Sequence, residues 1–194
     1  MEEHVNMAPD EVLHFHGRIW VNVERLISHG GLFSLWNGIG RRPVTGPLKT
    51  AFERVDIPFQ KSPSKAELQA RLKNRDSDIR TQAERMLRVI ERQGNLPDHY
   101  PDPVQVWQFG RSLKFIALGG EVVVDYSLRL KARYGWEDTW VAAYCNDVFA
   151  YVPSARVLQE GGYEARGGDG GPFTAVTEEI IVEKVHELVR RTSP

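Results

Sequence analysis

Cysteine is almost missing from this sequence: Cys145 is the only one in 194 residues. That excludes an intrachain disulfide and any zinc site built on paired thiolates. Its setting, "WVAAYCND", is apolar and suits a small buried thiol better than a nucleophile. Long apolar runs are missing too, since none approaches the ~20 residues of a membrane span. The acidic opening "MEEHVNMAPDEV" has no apolar stretch of the kind a secretion signal needs, so no such signal is expected in the chain as it stands, and the compartment is left open. Charge of one sign is also lacking. With 25 Lys and Arg against 26 Asp and Glu, the net charge is −1, and no field exists to draw nucleic acid or an anionic membrane. The basic residues between Lys65 and Arg92 alternate with acids, as on a solvated helix face.

What is present fits one domain over residues 1–194, long enough to bury a proper core. Val12, Phe15, Ile19, Val23 and Leu26 recur every three or four positions and predict an amphipathic helix over 10–27. Residues 28–48, with five glycines and two prolines, read as a loop, and "TAFERVDIPF" as a strand. Ser64 and Glu67 have the spacing of a capping box. A helical stripe through Ile79, Ala83, Leu87 and Ile90 is closed by Gly94 and Pro97. "VQVWQFG" and "LKFIALGG" predict two strands joined by a tight turn; a helix over 121–134 and the apolar strand "TWVAAYCND" then complete a βαβ crossover. A helix carrying Ile181, Val185 and Leu188 ends the chain. The expected class is α/β, a mixed sheet with a βαβ crossover and packed helices, forming part of a larger layered catalytic domain.

In "ALGGEVVVDYSL" two glycines end an apolar run and Glu121 follows, itself followed by three valines. An unpaired buried carboxylate is costly, so Glu121 either reaches solvent or is used. The crossover puts it at the carboxyl end of one strand and the amino end of the next helix, with Asn146 and Asp147 at the end of the neighbouring strand. Both sets are expected to face one crevice, where open α/β sheets bind ligands. There a charged carboxylate suits a hard cation; equally, it suits a first-turn residue capping its own helix.

"LGGEVVVDYSLRLK" followed by "WVAAYCNDVFAYVPSARVLQEGGYEA" resembles the neutral, non-lysosomal ceramidases, zinc amidohydrolases that cleave the N-acyl bond of ceramide, and is most similar to their bacterial branch. The resemblance runs from about Phe15 to Arg190 and is strongest over Val104–Ala165. It implies that Glu121 and Tyr151 are zinc ligands. It also implies that Tyr163, twelve residues after Tyr151 and followed by Glu164, hydrogen-bonds the scissile carbonyl, with Asn146 and Asp147 close to the metal or the substrate. From the residues alone, Tyr151 reads as an interfacial core tyrosine and Tyr163 as a loop anchor.

Family enzymes carry two histidine ligands, a His-x-His stretch and a serine-containing motif ahead of the matched region. The chain is therefore expected to equal the carboxyl-terminal portion of such a domain, completed by an amino-terminal segment or a homo-oligomeric partner. "HFH" at 14–16 does not substitute, because positions two apart on a helix point about 200° from one another. His4, His29, His99 and His186 lack ligand spacing. "VPSARVLQEGG" departs from the family's threonine- and acid-bearing stretch, which bears on the acyl substrate more than on the metal. The expected function is zinc-dependent hydrolysis of a lipid-like N-acyl amide; the alternative is a non-catalytic module binding a partner or lipid-like ligand. The glycine-rich segment 161–171 is read as a mobile loop beside the crevice, and exposed apolar surface is expected where the absent segment would pack.

Overall fold

The computed structural model describes residues 44–193. The expected helix over 10–27, most of the loop over 28–48, and His4, His14, His16 and His29 lie outside the described residues.

The fold is α/β. Four strands, β1 (Leu48–Pro58), β2 (His99–Phe109), β3 (Leu113–Leu118) and β5 (Thr139–Ala142), form a sheet in the order β1-β2-β3-β5. The first three are antiparallel, and β3 pairs in parallel with β5. Between β2 and β3 lies the expected turn, and between β3 and β5 the crossover helix α3 (Val124–Tyr134). A separate parallel pair joins β4 (Glu121–Val122) to β6 (Tyr151–Val152).

Alternation along β2 explains the layering. Val104 and Val106 point one way and are fully buried with Ile116, Leu118, Tyr126 and Leu130. The long closing helix α5 (Thr177–Thr192) adds Ile181, Val185 and Leu188 to this core, the stripe expected from sequence. Burying such side chains contributes roughly 1.5–3 kcal/mol each, which outweighs the modest ion pairs of Glu53 with Lys184 and Arg191 that also join α5 to β1. The opposite face carries Leu48 and Phe52, 46% and 45% exposed, and the half-buried Trp107, Phe115 and Trp140.

Two helices, α1 (Lys65–Arg71) and α2 (Ser77–Gln93), pack as a smaller unit around Leu68, Ala83, Met86 and Leu96. Gly94 closes α2 as expected. Ser64 and Glu67 make the full capping box: Ser64 Oγ accepts from the Glu67 amide at 3.3 Å, and Glu67 Oε2 accepts from the Ser64 amide at 2.7 Å. A seven-residue helix is too short to persist unaided. Ser64→Ala is therefore expected to destabilise the protein by about 1 kcal/mol in urea unfolding, with the core spectroscopically unchanged.

Three expectations need correction. The segment from Glu121 is not helical at its start: Glu121 and Val122 pair with β6, and α3 begins only at Val124 after Val123, which offers no side-chain cap. The strand over "TWVAAYCND" stops at Ala142, because Tyr144 and Asn146 take left-handed φ values of 59° and 64°, incompatible with a ladder. The glycine-rich segment is not a loose loop. It contains Gly161, which closes the helix α4 (Ala155–Glu160), a 3-10 turn at Glu164–Arg166 and a Gly168–Gly171 bridge. Gly170 lies so close to Phe59 that an added Cβ would stand 2.2 Å from its ring.

Candidate functional site

The geometry of the site begins with the Gly119-Gly120 corner. Gly120 has φ +60°, so the chain leaves β3 sharply, and its amide donates to the Asp147 carbonyl at 2.9 Å. The Glu121 amide donates to the Ala150 carbonyl at 2.8 Å and the Val123 amide to the Val152 carbonyl at 3.3 Å. This short parallel ladder sets Glu121 opposite Tyr151 and Val122 opposite Val152. Because side chains alternate, Val152 goes fully into the core while Glu121 and Tyr151 stay half-buried on the outside. The backbone N–H of Glu121 is thus already used, and the carboxylate does not cap a helix.

The carboxylate has phenols beside it instead. The Glu121 carboxylate beside it, then burial, pushes the Tyr151 phenol up to about 12. Tyr144 lines the same depression and its phenol is raised for the same reasons. Tyr163 meets Tyr151 edge to face, with ring centroids 5.5 Å apart, and carries the Arg166 guanidinium 5.5 Å from its own centroid. Glu121, Tyr151 and Tyr163 are therefore neighbours, although 42 residues separate the first from the last.

Glu121 and Tyr151, but not Tyr163, line a shallow depression of about 500 Å³ together with Tyr144, Arg156, Glu160 and Glu164 among others. Three carboxylates face one guanidinium, and that guanidinium is engaged: Arg156 binds Asp125 at 2.8 Å and Glu160 at 2.6 Å. The local field favours a cation. Without one, the carboxylate holds both phenols in their protonated form; a bound cation reverses that preference.

Asn146 and Asp147 turn elsewhere. Asn146 donates to Gln105 Oε1 at 3.2 Å, and Asp147 accepts from the Tyr100 hydroxyl at 2.8 Å with Arg54 at 3.9 Å. They do not line the depression with Glu121, contrary to the single crevice expected, because the left-handed turn at 144–146 swings them back over β1 and β2. The Cys145 thiol donates to the Ala143 carbonyl at 3.3 Å and is raised by burial, which leaves it poorly nucleophilic.

Two residues escaped the sequence reading. Tyr144 was hidden in an apolar run; the Asn-Asp pair two residues on was the available sign that the strand had ended. Asp102, between two prolines in β2, is fully buried, and among the described residues neither of its oxygens has a hydrogen-bond partner. Burial, then the charge of Asp147, pushes its carboxyl up to about 7 against the opposing pull of Arg54.

Glu121, Tyr144 and Tyr151 bring one carboxylate and two phenols to the lining of the same depression. Among the described residues no group of three or more His, Cys, Asp and Glu side chains could hold a metal, and no histidine lines the depression. Nor is any described helix long and apolar enough to cross a membrane.

Compared with known proteins, the chain matches no family model and no curated sequence. Among solved structures, a ceramidase complexed with C2 aligns with 78% of this chain at 14% identity and a TM-score of 0.46. The chain spans 31% of that protein's length, and a superposition at this level does not define a shared site.

Proposed function

We propose that the chain is part of a ceramidase-like, zinc-dependent hydrolase of lipid-like N-acyl amides. The observation that carries this reading is the β4–β6 register, which sets Glu121 against Tyr151 with Tyr163 at the edge of the same ring. That trio is the one the sequence motifs single out.

In this reading Glu121 and Tyr151 hold the cation, and the Tyr151 phenol gives up its proton to do so. Zinc, when bound, supplies Lewis acidity toward the amide carbonyl. Tyr163, 56% exposed and edge to face with Tyr151, donates a hydrogen bond to the oxygen on which negative charge develops. The exposed Val124 and the half-buried Val122 and Val123 along the depression offer an apolar bed for an acyl chain. Nitrogen ligands would come from outside residues 44–193 or from a partner chain.

The test is metal content. Full-length protein dialysed against zinc should retain about one ion per chain by atomic emission, and Glu121→Gln should lose it. Zinc-dependent release of fatty acid from a short-chain N-acyl sphingosine, by the chain alone or beside a histidine-bearing partner, supports hydrolysis. Retained zinc without hydrolysis points to the binding module instead. If the protein holds no zinc and Glu121→Gln behaves identically, the metal reading is lost.

A further inference from the structure

We propose that Asp102 is a proton-operated latch for the 143–150 loop: protonated, it lets the loop close over the Gly119-Gly120 corner, and ionised, it drives the loop open. The device goes beyond the proposed function and does not depend on what occupies the depression.

Asp102 sits where the four-stranded sheet loses a neighbour. β3 pairs with β2 only as far as Val104, opposite Leu118, so the 99–103 end of β2 runs on past it. The 143–150 loop docks at this place. The Cys145 amide donates to the Leu118 carbonyl at 3.0 Å, the Tyr144 amide to the Gly120 carbonyl at 2.8 Å, and the Gly120 amide to the Asp147 carbonyl at 2.9 Å. From β2, Tyr100 donates its hydroxyl to Asp147 at 2.8 Å and stacks on Phe149 with ring centroids 3.9 Å apart. Tyr100 and Asp102 are two apart on one strand and share a face. Asp102 therefore lies between the anchor that holds the loop's side chains and the corner that receives its backbone.

Its contact with that corner is close. A Cβ on Gly119 would stand 2.3 Å from Asp102 Oδ1, so only glycine leaves room for the carboxyl. Both oxygens are buried, and among the described residues neither has a hydrogen-bond partner. The charged and titratable groups around it are engaged elsewhere or oppose it. Arg54 on β1 donates to the Pro101 carbonyl at 3.0 Å and lies 3.9 Å from Asp147. Tyr100 serves Asp147, Tyr126 on α3 donates to the Pro153 carbonyl at 3.1 Å, and Asp147 adds a like charge from the loop. Burial first, then Asp147, holds the carboxyl up at about 7.

A buried acid that ionises without a partner is relieved by opening the least stable cover near it. The loop is that cover: Val148 is 65% exposed, so its far side already meets water. Once wet, the acid ionises near ~3.9. Between about 4 and 7 the closed loop thus holds a proton that the open loop releases, and closure weakens about tenfold per pH unit. The Ala150 carbonyl accepts from the Glu121 amide at 2.8 Å, so opening also loosens β4 from β6.

Cys145 is the only thiol in the chain and belongs to the loop, so its reaction with 4,4′-dithiodipyridine in the full chain reads opening. Dividing the wild-type rate by that of Asp102→Asn cancels the thiol's own ionisation. The quotient is expected to climb about 100-fold from pH 5 to pH 8, levelling above pH 7, and to depend little on urea below the unfolding transition. Hydrogen exchange at the Tyr144 and Cys145 amides, compared between the same two proteins, should accelerate by the same factor. Asp147→Asn still accepts from Tyr100 and should keep the rise, moved to slightly lower pH. Quotients flat with pH in both readouts overturn the proposal. A rise that Asp147→Asn abolishes assigns the switch to Asp147 and overturns it as well. So does a rise that steepens sharply with urea, because the opening is then global unfolding.

Discussion

Asp102→Asn is expected to stabilise the protein at pH 8, by up to about 4 kcal/mol, and to change little near pH 4. The carboxyl is fully buried without a hydrogen-bond partner among the described residues, and its folded-state value is pushed up to about 7. In the unfolded chain it ionises near ~3.9. Between these values the folded protein holds a proton that the unfolded chain has released, so stability falls as pH rises from about 4 to about 7. Above that range the whole cost of an ionised buried acid is present. Asparagine has the same shape and never ionises, and its own unsatisfied amide trims the gain to roughly 2–4 kcal/mol. Urea unfolding of both proteins at pH 4, 6 and 8 reads this directly. A wild-type stability that is flat with pH, or equal stabilities at pH 8, would show that Asp102 is paired or hydrated in solution.

The second large effect concerns the corner that launches β4. Gly120→Ala should cost about 2–4 kcal/mol, combining a left-handed backbone with overpacking. At φ +60° its new Cβ would stand 2.8 Å from Val152 Cγ2 and 2.9 Å from the Ala150 carbonyl oxygen, both on the segment that presents Tyr151. Relief of that strain displaces the 149–152 segment, so under the proposed function zinc retention should fall along with the unfolding midpoint. Gly161→Ala is the control. It also has a positive φ, 77°, but nothing lies within 4 Å of the added carbon, so it should lose only about 1 kcal/mol and, under the proposed function, match wild type in zinc retention. Equal losses from the two changes would mean that crowding at Gly120 is relieved without moving the site.

Elements governed by local chemistry were legible in the sequence. The Ser64–Glu67 capping box, the Gly94 stop and the α5 stripe depend on residues a few positions apart, and each lies where the sequence puts it. The hairpin and the crossover followed from apolar runs of strand length. What was misread depends on distant partners. Glu121 and Val122 look like the first turn of a helix, and only the arrival of β6 thirty residues later makes them a strand. Segment 161–171 reads as a mobile loop because its glycines are informative only once Phe59, more than a hundred residues earlier, is packed on Gly170. Asn146 and Asp147 were assigned to the crevice by strand position, but two left-handed residues reverse the chain there, and φ is not written in an apolar run. Of the candidate site, Glu121, Tyr151 and Tyr163 were named from motif and lie together, whereas Tyr144 is visible only in three dimensions.

The pairing of β4 with β6 is only two residues long, yet it couples the chemistry to the interior. Val152 is fully enclosed and Val122 packs beside it, so a slip of one position would push Tyr151 inward and expel a valine. The oil inside the molecule thus acts as a vernier for the oxygens outside it. Mutations that soften the interior near Val152, without touching a polar atom, should broaden the spacing of the donors before they melt the protein.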